Sequence, residues 1–227
     1  MSLLVNPLQT GPMVGHTTTS GFRLWGRAKN KFKNIVGIAR IRCSDSHYNN
    51  ECFTFEFNPD YDNCAIVDFG KLDQNDSTSC SLEPYTEYSY EIGWVFADSK
   101  AKLDEAIETG ENIVWGKPNI PDLNGMVRTF PEPNKSIETT FILGSCRDPL
   151  GNKGEKTFDT ISAQLDNNDD KPDFMLMTGD QIYIDHINIK KFRPSLKKYW
   201  KQYRKAFGLP KFNKVTRQIP TYMMMDD

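Results

Sequence analysis

The sequence predicts an antiparallel β-sandwich followed by the opening of an α/β unit with neighbouring parallel strands. Three observations carry this. Short alternating or β-branched runs dominate up to about residue 130. A strand–helix–strand rhythm takes over from about residue 137. At 227 residues the chain is long for one typical small domain, so the two patterns are read as two units, 1–134 and 135–227.

In the first unit, Phe22 and Leu24 alternate with Arg23 before Trp25, and Val36–Ile41 and Cys52–Phe57 are further strand-like runs. The alternation Phe53-Thr54-Phe55-Glu56-Phe57 is strict, as a half-buried strand requires. Leu82-Glu83-Pro84-Tyr85-Thr86-Glu87-Tyr88-Ser89-Tyr90 has the form of a tyrosine corner, in which a phenol opening a strand is tied back to upstream backbone. That feature belongs to immunoglobulin-like sandwiches. Ser99–Glu108 reads as a short helix, with Ser99 as cap and Leu103, Ala106 and Ile107 on one face. A last strand, Met126–Phe130, sits in a Pro- and Asn-rich stretch that ends in the linker Pro131–Asn134.

In the second unit, Thr139–Leu143 is a buried strand by composition. Glu155–Asp166 places Phe158, Ile161 and Leu165 at helical spacing. Asp173–Thr178 is a continuous apolar run, the form of a strand covered on both faces. A basic helix, roughly Pro194 to Phe207, precedes Ile219–Met225, whose Met223-Met224-Met225 run is read as strand core. The helix carries Lys197, Lys198, Lys201, Arg204 and Lys205, with Lys190, Lys191 and Arg193 just before it. It is read as a solvated basic face with Leu196, Tyr199, Trp200 and Tyr203 packing inward; the sharper alternative is an electrostatic collar for anionic esters.

Composition excludes several classes. Lys plus Arg (28) nearly balances Asp plus Glu (30), so nothing in the net charge selects nucleic acid or membrane as a partner. No apolar run approaches the roughly 20 residues of a membrane span, and the first residues lack the basic and apolar regions of a secretory signal. Five cysteines without a CxxC pair argue against a structural zinc site or a closed disulfide framework. Reduced thiols in a cytoplasmic protein are the expectation; Cys43–Cys52 or Cys64–Cys80 bridges are the alternative in an exported one.

Parallel strands turn their C-terminal ends to one edge, where ligands bind. The first strand ends in Gly144-Ser145-Cys146-Arg147, the second in Gly179-Asp180-Gln181-Ile182-Tyr183, the third in Asp226-Asp227. Taken singly, a Gly-Asp turn, a buried Cys or a terminal Asp pair has an ordinary structural explanation. Together they gather carboxylates that repel unless a cation is present. A thiolate and a phenolate favour a softer or more highly charged ion than carboxylates alone, and a phenol with an ordinary pKa near about 10 needs a strong Lewis acid such as ferric iron to bind as phenolate. A mixed two-metal centre with Asp180 between the ions follows as the expectation. Arg147 is read as a phosphate contact, because a guanidinium fork fits phosphate oxygens. Of the histidines, His16 and His47 are given no role, and His186 is read as a surface loop residue near the site mouth.

Gly144-Ser145-Cys146-Arg147, Gly179-Asp180-Gln181-Ile182-Tyr183 and Met225-Asp226-Asp227, preceded by Tyr203-Arg204-Lys205-Ala206-Phe207-Gly208, together resemble the PhoD-like (alkaline phosphatase D) branch of the metallophosphoesterases. Gly11–Thr17 and Phe22–Ala28 are similar to that family's fibronectin-III-like leading domain. The resemblance implies hydrolysis of phosphoric mono- or diesters by a two-metal-activated hydroxide. It implies that Asp180 bridges the metals, that Cys146 and Tyr183 bind an Fe(3+)-like ion, and that Asp227 binds a Ca(2+)-like ion. In the family a histidine and further ligands follow the Asp-Asp pair, whereas this sequence stops at Asp227. An incomplete active site, from a fragment or a split gene, is therefore expected. The competing expectation is a binding module whose phosphoesterase half is degenerate.

Overall fold

The computed structural model describes residues 2–29, 34–43, 52–73, 82–109, 111–116, 123–148, 155–166, 171–183 and 195–224. The chain is mostly β-sheet with few helices. Strands β1 (Leu3–Val5), β2 (Thr10–Thr17), β3 (Ser20–Arg27), β4 (Ile35–Cys43), β5 (Cys52–Phe55), β6 (Cys64–Lys71) and β7 (Glu87–Phe96) come first. Then follow α1 (Lys100–Glu108), β8 (Ile113–Trp115), β9 (Asn124–Arg128), β10 (Phe141–Gly144), α2 (Lys156–Leu165), β11 (Phe174–Met177), α3 (Leu196–Phe207), α4 (Pro210–Thr216) and β12 (Thr221–Met223).

Two antiparallel sheets, β2-β3-β6 and β5-β4-β7-β9, share one core. The period-2 alternation puts Phe22, Leu24, Val67 and Phe69 on its one side and Ile41, Tyr88, Tyr90, Ile92 and Trp94 on the other. The opposite face of β4 is apolar too: Val36 and Ile38 pack with Val5, Val95, Leu103 and Leu123, under α1 and the parallel pair β1–β8. Ser99 caps α1, its side chain accepting from the Lys102 N–H at 3.2 Å. At the start of β7 the Tyr88 hydroxyl accepts from the Glu83 backbone N–H at 2.8 Å, the tie-back that a tyrosine corner requires.

The remaining sheet is parallel, in the order β10-β11-β12. Met175 and Met177 face α2 and α4, burying against Phe158, Ile161, Leu165, Phe212, Val215 and Ile219. The other face departs from the sequence expectation. Thr139–Leu143 reads as a buried strand, yet Phe141 is 50% and Leu143 65% exposed. By register they share a face with the half-buried Phe174 and Leu176. Composition records that a strand is apolar, not how many layers cover it. Met223 is likewise only half-buried and Met224 is exposed; Met225 lies outside the described residues.

Helix α3 also differs. Leu196, Tyr199 and Tyr203, expected to pack inward, are exposed. The helix docks through its last turn, where Ala206 is buried and Phe207 meets Trp25 and Phe212 edge-on or tilted. Amphipathic spacing shows which residues share a face, not that anything covers it. Helix α4 is absent from the sequence reading, although Pro210 at its first turn is a start signal.

The parallel sheet is bound firmly to the strands before it. Met13 joins its core. The Tyr90 hydroxyl donates to the Arg217 carbonyl at 2.7 Å, and Thr17 N–H donates to the Tyr222 hydroxyl at 3.3 Å. The buried Asp62 carboxylate accepts from Arg27 at 2.7 Å and from Arg204 at 2.6 Å. Lys171 pairs with Glu87 at 3.0 Å.

Candidate metal site at the strand ends

Beyond β10 and β11 the backbone turns sharply, and the turns are laced to each other. Thr178 N–H donates to the Gly144 carbonyl at 2.8 Å, Cys146 N–H to Gly179 at 3.2 Å, and Arg147 N–H to Asp180 at 2.8 Å. Cys146 (φ 54°) and Asp180 (φ 52°) both stand in the left-handed region. Aspartate visits it with some ease, cysteine rarely, and the conformation costs an L-residue about 1–2 kcal/mol. Such strain persists where surrounding structure imposes it and is concentrated at functional sites.

The side chains on these turns converge. The Cys146 thiol donates to Asp180 Oδ2 at 3.1 Å, and the Tyr183 hydroxyl donates to the same oxygen at 2.9 Å. Cys146 is exposed, while Asp180 and Tyr183 are half-buried. Desolvation holds the Tyr183 phenol well above its ordinary pKa, reinforced by its hydrogen bonds to Asp180 and Cys146 and by their charge. The thiol and the phenol thus both face one carboxylate oxygen. A cation that displaced both protons would meet a thiolate, a phenolate and a carboxylate at one place. Such donors together favour a softer or more highly charged ion than carboxylates alone. Among the described residues no group of three His, Cys, Asp or Glu side chains is gathered; here the third donor is a phenol.

Arg147 is placed differently from the phosphate contact read in the sequence. Its side chain is buried, its guanidinium lies 3.9 Å from the Phe212 ring centre and 5.1 Å from that of Phe158, and Nη2 donates to the Ala206 carbonyl at 2.9 Å. Burial pulls its pKa down to about 10 against the opposing charge of Glu155. Arg147 thus fastens the end of α3 to the turn after β10. His16 lies in β2, exposed, with its ring 6.3 Å from that of Tyr222. Asp226, Asp227, His47 and His186 fall outside the described residues.

One residue of the motif was passed over in the sequence. Gln181, buried directly after Asp180, donates through Nε2 to the Met224 carbonyl at 2.9 Å and to Met177 at 3.4 Å. The signal for it was available: the strand-end carbonyls need donors, and an amide adjoining the turn can supply two.

The comparisons with known proteins concern this fold. No protein-family model matches the chain, and no curated protein matches it. The solved structure of PhoD superposes with a TM-score of 0.64 over 97% of this chain at 16% identity. The chain spans 39% of the length of that PhoD chain. A solved protein assigned as a β-galactosidase, from Bacteroides fragilis, aligns with a TM-score of 0.28 at 9% identity, too weak a likeness to bear on the fold. The class defined is thus a mostly β chain whose fold is like that of PhoD.

Proposed function

We propose that this chain carries the first half of a two-metal phosphoester hydrolase site, on a fibronectin-III-like leading domain (1–134) and the start of an α/β catalytic domain (135–227). The observation that carries the reading is the meeting of the Cys146 thiol and the Tyr183 hydroxyl on one Asp180 oxygen at parallel strand ends. The PhoD-like fold supports it. In this reading Cys146, Tyr183 and Asp180 would hold an iron-like ion, and Asp227 would serve a second, calcium-like one. When bound, such a pair polarises phosphate oxygens and acidifies water. The residues contribute orientation. The crossed backbone bonds hold Cys146 and Asp180 at fixed separation, and Arg147 acts from beneath, by fastening α3, rather than by touching substrate. The substrate class is a phosphoric mono- or diester.

The test is metal content of the purified chain, together with turnover. After incubation with ferric and calcium ions, the expected result is bound iron with a visible thiolate- or phenolate-to-iron absorption band. That band should be lost in Cys146→Ser and Tyr183→Phe, and Asp180→Asn should lower metal affinity by at least about 100-fold. Hydrolysis of p-nitrophenyl phosphate or its diester should follow the bound metal in a chain extended past Asp227. Absence of both metal and turnover overturns the reading, whereas metal binding without turnover restricts it to a binding role.

A further inference from the structure

We infer that Gln181 is a positioning residue that sets the third strand end against the first two; the inference rests on the proposed metal site. Backbone bonds secure the turn of β10 to that of β11, beside the Cys146–Asp180 side-chain contact. On the other side, the Met224 N–H reaches the Met177 carbonyl at 2.8 Å and completes the β11–β12 ladder. The same residue is also held by a side chain. The Gln181 amide donates to Met224 at 2.9 Å and to Met177 at 3.4 Å, so one group spans the ends of two strands.

Three properties make this more than a packing contact. Gln181 adjoins Asp180, whose left-handed backbone must be held from both sides. It stands two residues before Tyr183, so one clasp constrains both proposed ligands on this turn. And the carbonyl it holds belongs to Met224, which in sequence lies just before the Asp226–Asp227 pair. Both acceptors are carbonyls, so the amide must present its NH2 group to them. Side chains that orient metal ligands are worth about 10–100-fold in metal affinity. Glutamate at this position would keep the shape and lose both donors, turning two attractions into repulsions. Alanine would remove the clasp without adding charge.

The experiment uses the full chain, with Gln181→Glu and Gln181→Ala beside a control, Tyr88→Phe, whose lost hydrogen bond lies at the tyrosine corner. Titration with ferric ion and amide hydrogen exchange are both read. The expected result is a loss of about tenfold or more in iron affinity for both Gln181 variants, with exchange at the Met224 and Arg147 amides at least about tenfold faster. The control should lower Tm while leaving iron affinity and those two amides unchanged. Wild-type affinity and wild-type exchange in both Gln181 variants overturn the inference, as does an equal loss of affinity in Tyr88→Phe. If the unaltered chain binds no iron, the phosphoesterase reading fails. Exchange at Met224 then decides the clasp separately: faster exchange in the variants supports it, and unchanged exchange overturns it.

Discussion

At the scale of single residues, three described thiols occupy contrasting surroundings. Cys146 is exposed at the strand ends, whereas Cys52 and Cys64 are half-buried free thiols, so neither bridge considered from the sequence forms. Burial raises the Cys52 pKa, and burial with the neighbouring Asp62 charge pushes Cys64 up to about 11. Only the thiolate alkylates. At pH 8, iodoacetamide followed by peptide mass spectrometry should therefore label Cys146 well before Cys64; the reverse order would contradict these placements. The sign for stability follows from the raised value. Protonated Cys64 favours the folded state fully below about pH 9, and that contribution is lost as pH rises through about 11. The convergence of Cys146, Asp180 and Tyr183 was legible because apolar runs ending in Gly announce where strands stop. The direction of Arg147 was not. At a strand end a long side chain can turn outward to the edge or back under the sheet, and the aromatic pair Phe158 and Phe212 that receives it comes from distant helices.

Among the elements, those with local punctuation were read well. Helix α1 is an example: Ser99 satisfies an otherwise orphaned N–H, and Leu103 buries completely. Ser99→Ala should cost about 1 kcal/mol, measured by urea denaturation. A negligible change would mean that the helix start is held by its neighbours. Elements whose character depends on partners were read less well. The apolar runs of β10 and α3 correctly announce a strand and an amphipathic helix, but the exposure of Phe141, Leu143, Leu196 and Tyr199 is set by which layers stand over them. The parallel pairing of β1 with β8 was invisible for a similar reason. Each strand has three residues, too few for periodicity, and their union depends on contacts across more than a hundred residues of sequence.

For the whole molecule, cohesion depends on side chains reaching from the parallel sheet and its helices to the strands before them. Asp62 is the strongest such tie, because it is buried and neutralises the buried Arg27 while also holding Arg204. Asp62 has φ 60°, a conformation that asparagine tolerates as well, so Asp62→Asn isolates the charge from the backbone. The expected cost is about 3–5 kcal/mol, read from the urea midpoint, since the substitution removes the carboxylate charge paired with the buried Arg27. A cost under about 1 kcal/mol would show that water reaches Arg27. The stretch Pro131–Asn134, where the sequence changes its rhythm, is a joint in the chain but not in its cooperativity. Met13 and Trp25, from the first strands, pack into the second core, and Tyr90 holds the end of α4. A recombination that exchanged everything before residue 134 for an unrelated β-sandwich would splice cleanly on paper. It would also bring in a surface with no methionine to fill the retained second core and no carboxylate for Arg204, so the two parts are inherited well only together.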